Sequence, residues 1–68
     1  MTTTNGQILR QMRLSAGWTQ EQLANLIHVS KRTVQRWEAG DRHCPDLILM
    51  LVERLIREAR NVEGTGEV

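Results

Sequence analysis

The chain has no phenylalanine or tyrosine, a single cysteine, a single proline, and no apolar run longer than the six residues Leu47 to Val52. Each shortage removes a class of answer. Cys44 alone cannot form an internal disulfide, which fits a reducing cytoplasm. Six apolar residues are far short of the ~20 that span a bilayer, so no membrane partner is expected. The start shows no charged segment leading into an apolar run, so no signal peptide is expected. Glycine-rich phosphate loops are missing, as are Ser–His–acid and Cys–His arrangements, so no catalytic residue is assigned and the chain is not read as an enzyme. His28, His43 and Cys44 lack a zinc-ligand spacing, and neither a metal nor a cofactor is expected. Sixty-eight residues make one small domain with little core to spare for a cleft. Without staples, such a domain gains stability by oligomerising.

What is present is unevenly charged. Residues 1–44 hold six Lys/Arg (Arg10, Arg13, Lys31, Arg32, Arg36, Arg42) against Glu21, Glu38 and Asp41, giving +3. Residues 45–68 hold three arginines against five acids, giving −2, so the net +1 hides one half suited to a polyanion and one half suited to something else.

The punctuation predicts four helices and no strand. Thr4 with Gln7 makes a capping-box pattern, and a first helix runs to about Ala16, stopped by Gly17, with Ile8, Leu9, Met12 and Ala16 inward. Thr19 with Gln22 repeats the box, with Trp18 and Leu23 as a hydrophobic staple; this second helix runs to about Ile27 and buries Leu23, Ala24 and Ile27. His28, Val29 and Ser30 form a three-residue turn. Ser30 caps a third helix over residues 31–39, ended by Gly40. Pro45 and Asp46 open a fourth helix that runs to about Arg60. The expected organisation is a flexible start over 1–3, one domain over 4–60 and a flexible tail over 61–68.

Turned at about 100° per residue, the third helix points Val34 and Trp37 one way and spreads Lys31, Arg32, Gln35 and Arg36 over the other. The only aromatics, Trp18 and Trp37, thus take staple and core positions rather than stacking on bases. Two short helices joined by a tight turn, the second basic outward, is a helix-turn-helix layout. Such a helix fits the major groove of double-stranded DNA, where arginine and lysine suit guanine O6/N7 and Gln35 suits a base or a phosphate.

The stretch "LRQMRLSAGWTQEQLANLIHVSKRTVQRWEAGDRHCP" resembles the XRE/Cro–CI helix-turn-helix family, which includes lambdoid phage repressors. Arg13, Gly17, Thr19-Gln20, Leu23-Ala24, the Val29-Ser30 turn, Val34, "WEAG" and the spacing to Pro45 carry the resemblance over about residues 6–47. It implies a compact, all-α, lambda repressor-like four-helix domain. It further implies that Gln20 binds a phosphate, that Lys31, Arg32 and Arg36 read bases, and that Ser30 and Thr33 touch the DNA backbone. Arg42 and His43 would face the backbone or minor groove. Arg13 and Glu38 match an internal salt bridge near the DNA face, which would leave the third helix with three outward cations and no opposing anion. His28 stands where the family often has a left-handed glycine, and Asp46 where some phage repressors carry an arginine.

Leucine, isoleucine, valine and alanine cover roughly 200° of the fourth helix, where a single core needs only about 100°. This predicts a two-sided helix, one edge on its own domain and one on a second copy. Leu49, Val52, Ile56 and Ala59 are the expected partner seam, with the Leu47–Leu51 edge as the alternative. The reading is a homodimeric transcriptional repressor on an inverted repeat, in a prokaryotic or phage-infected cytoplasm, Cro-like or of the anti-CRISPR-associated kind. The competing reading is an antitoxin or adaptor subunit whose fourth helix holds another protein.

Overall fold

The computed structural model describes residues 3–65, with side chains through residue 59. It contains α1 (Asn5–Ala16), α2 (Gln20–Leu26), α3 (Lys31–Ala39) and α4 (Asp46–Thr65), and no strand among the described residues. The all-α helix-turn-helix architecture expected from the sequence is the one observed.

Both capping boxes close. Thr4 Oγ1 accepts from the Gln7 amide at 3.2 Å while the Thr4 amide donates to Gln7 Oε1 at 2.9 Å. Thr19 and Gln22 exchange the same pair at 3.0 and 2.8 Å. The helix ends are equally specific. Gly17 and Gly40 are left-handed, and behind them the Trp18 and Asp41 amides reach back to the Arg13 and Arg36 carbonyls. That six-to-one bond is the mark of a Schellman end. The same bond closes α2, from the Val29 amide to the Ala24 carbonyl at 3.0 Å, with His28 at φ 61° in the left-handed place. A histidine there costs about 1–2 kcal/mol more than glycine; the three-residue turn depends on it.

These short connections fold α2 and α3 against each other, and α1 lies across α3 and α4. Leu9, Leu23, Ala24, Ile27, Val34, Trp37, Cys44 and Val52 form the buried core. Burial, aided by the Asp46 charge, pushes the Cys44 thiol up to about 11, so it packs as a small neutral side chain. Ile8 does not join the core. It is 36% exposed, because α1 turns Leu9, Met12 and Arg13 inward instead.

Two α1 residues absent from the sequence reading hold it in place. Asn5 donates its side-chain amide to the Cys44 carbonyl at 2.8 Å and to Asp46 Oδ1 at 2.6 Å, tying the start of α1 to the start of α4. Gly6 is buried against the end of α3, where any Cβ would overlap the Trp37 carbonyl oxygen.

α4 departs from expectation twice. Its backbone stays helical to Thr65 rather than ending near Arg60, so 61–65 is not an irregular tail; 66–68 lie outside the described residues, as do 1–2. The apolar period does stop near 60, but a helix needs only its backbone ladder, and no proline interrupts it. The expected partner seam loses one of its four residues. Val52 is 0% exposed inside its own domain and so is closed to a second chain, while Leu49 and Ile56 are half-buried against the same core. Ala59 is exposed. The uncovered apolar edge is Leu47 (72% exposed), Met50 (64%) and Leu51 (39%).

The close approach of α1 to α3 has a diagnostic sign. Helix propensity alone has Gly6→Ala gaining about 1 kcal/mol. The overlap at Trp37 reverses this to a loss of about 1–3 kcal/mol, read as a lower urea midpoint. A variant as stable as the parent would rule out that packing.

Candidate nucleic-acid interface

Of the nine residues α3 spans, five look outward. Lys31, Arg32, Gln35, Arg36 and Ala39 are exposed, whereas Val34 and Trp37 are buried and Thr33 and Glu38 are half-buried. At about 100° per residue the exposed five occupy an arc of about 140°. The arc is basic because Glu38 is turned away from it. Arg13 Nε donates to Glu38 Oε2 at 2.7 Å and Arg13 Nη2 to Glu38 Oε1 at 3.0 Å, a two-pronged bridge from α1 to α3. The two side chains are only 10% and 5% exposed. Arg13 Nη1 donates to the Trp18 carbonyl at 2.9 Å, binding the pair to the link between α1 and α2. No buried side-chain nitrogen or oxygen among the described residues lacks a partner.

The other candidates fall into two groups. Gln20 is half-buried at the start of α2, and its Nε2 donates to Glu38 Oε1 at 3.1 Å. It is therefore held by the ion pair rather than free in solvent. Gln20 and Gln35 border one open cleft of about 240 Å³ with Arg10, Arg13, Glu38 and Ala39. Ser30, at the front of α3, accepts from the Thr33 amide at 3.1 Å, and the two hydroxyls lie 2.8 Å apart. Arg42 and His43 are exposed in the loop between α3 and α4, with the Arg42 amide donating to the Arg36 carbonyl at 3.3 Å.

Arg10 belongs to this surface; the sequence analysis counts its charge but assigns it no contact. A signal was available. Gly6, Arg10 and Arg13 are spaced i, i+4, i+7 and so share one face of α1.

The arrangement is a basic α3 face whose one acid is paired with Arg13, suited to a polyanion with regularly spaced phosphates. Among the described residues no helix is long and apolar enough to cross a membrane.

Breaking one side of a buried pair leaves a charge with no partner. Arg13→Ala and Glu38→Ala should each lower unfolding free energy by about 3 kcal/mol, and the double variant by clearly less than the sum. Additive losses in denaturant melts would mean the pair is not coupled.

A search of curated proteins and of solved structures found no significant match. A helix-turn-helix family model matches residues 9–52, well over half of the 68-residue chain and spanning α2 and α3 whole. The chain belongs to this helix-turn-helix family, the XRE/Cro–CI type of DNA-binding transcription regulator.

Proposed function

We propose that this protein is a homodimeric transcriptional repressor that reads an inverted-repeat operator. The observation that carries the reading is the outward arc of α3, where Lys31, Arg32, Gln35 and Arg36 are exposed while Glu38 is bound to Arg13. α3 enters the major groove. Lys31, Arg32 and Arg36 meet base edges, and Gln35 meets a base or a phosphate. Ser30, Thr33 and Gln20 hold the sugar-phosphate backbone, and Arg42 and His43 reach it from the following loop.

Dimerisation is assigned to the Leu47, Met50 and Leu51 edge of α4, the most exposed apolar edge of the helix, since the opposite stripe packs on the domain's own core. Two copies joined there by a two-fold axis would present two α3 helices to half-sites about one DNA turn apart. Repression follows from occupying a promoter. The same exposed edge also suits an antitoxin or adaptor role, in which α4 holds a different protein.

Selection from a random duplex library tests the reading. An inverted repeat should be enriched, and Arg32→Ala or Arg36→Ala should weaken its binding by roughly 1–3 kcal/mol, about 5- to 150-fold in Kd. Binding that is indifferent to sequence would sink it.

Sedimentation tests the dimer separately. Leu47→Asp with Met50→Asp should give a folded monomer, whereas Val52→Asp should unfold the chain. Retention of the dimer by the first variant would move the interface elsewhere, and a wild-type monomer that co-purifies with another protein would favour the adaptor role.

A further inference from the structure

Gly6, Arg10 and Arg13 lie within about 60° of one another around α1. The outer two are fixed onto α3, Gly6 against the Trp37 carbonyl and Arg13 in the Glu38 carboxylate. Arg10, between them along the axis and at one edge of that face, is therefore delivered to the flank of α3, where it lines the cleft shared with Gln20 and Gln35.

The charges at that cleft do not cancel. Glu38 already accepts two guanidinium hydrogen bonds and the Gln20 amide. Arg10 is exposed and has no ion-pair partner among the described residues, although Glu38 lines the same cleft. Gln20 is oriented as well as held. A carboxylate only accepts, so the amide must turn its nitrogen towards Glu38, and the second N–H on that nitrogen is left for another acceptor. Donors from three helices thus border one cleft: the Arg10 guanidinium from α1, the Gln20 amide from α2 and the Gln35 amide from α3. The only carboxylate there is already engaged.

We infer that Arg10 binds a backbone phosphate of the DNA at this cleft, beside Gln20, so that α1 anchors the duplex while α3 reads it. The inference rests on the DNA-reading function proposed above. Arg10 would act on the strength and salt dependence of binding, and not on which sequence is chosen, because a phosphate contact carries no base information.

The test is fluorescence anisotropy on the selected duplex over a series of salt concentrations. Arg10→Ala should flatten the slope of log K against log salt by about 0.9 per bound subunit, with the enriched sequence unchanged. Arg10→Lys should keep the slope, since it keeps the charge. An unchanged slope in Arg10→Ala overturns the inference while leaving the DNA-reading function standing. So does Arg10→Lys behaving like Arg10→Ala together with a lowered melting temperature, which would assign Arg10 to packing. If the wild type enriches no site and shows no salt slope, the DNA-reading function itself falls, and this contact with it.

Discussion

A guanidinium and a carboxylate, both largely out of water, meet where α1 crosses α3. Taking such charges out of solvent costs several kcal/mol each, and their attraction returns this only with good geometry and further hydrogen bonds. Arg13 and Glu38 have both. Two parallel bonds join them, Arg13 spends a third donor on the Trp18 carbonyl, and Glu38 takes a further bond from Gln20. Compared with a well-packed apolar pair, the net gain in stability is small or absent. Its consequence is orientation: one polar cluster touches α1, the link to α2, the start of α2 and the flank of α3. A fully satisfied network in a low dielectric admits few other arrangements.

The same cluster decides the electrostatics of the surface. A chain of net charge +1 has little long-range field to offer. By drawing the one acid of α3 inward, the pair leaves Lys31, Arg32 and Arg36 without an opposing charge on that face. On α4, Arg54–Glu58 and Arg57–Glu53 sit as exposed i, i+4 pairs at 3.1 and 3.3 Å, so much of the charge there cancels locally. Such pairs contribute a few tenths of a kcal/mol each and leave the positive region on the helix-turn-helix.

α4 shows what a small domain does with surplus apolar surface. Its core needs one stripe, and Ile48, Leu49, Val52, Leu55 and Ile56 supply it. Leu47, Met50 and Leu51 are left over on the solvent side. An apolar wheel of roughly 200° says there is more than one contact to make. It is silent on which edge makes which, since a sequence period has no reference to the neighbouring helix.

The helix starts, and the glycine stops of α1 and α3, were legible because their chemistry is local. A threonine with a glutamine three residues on, or a glycine after the last turn, acts on backbone groups within about one turn, whereas the left-handed place of His28 came from the resemblance. The inward faces of α2 and α3 were legible for a related reason: a short amphipathic helix has only one apolar stripe to bury. The Arg13–Glu38 pair came only from resemblance, since nothing in 25 residues of separation announces a contact. The roles of Asn5 and Gly6 were not legible, nor was where the Arg10 face of α1 would land or which of the two edges of α4 would stay free. Each depends on the angle and distance at which α1 settles across α3 and α4. That is decided when side chains far apart in the chain interlock at the density of a crystal, and tertiary packing alone sets it.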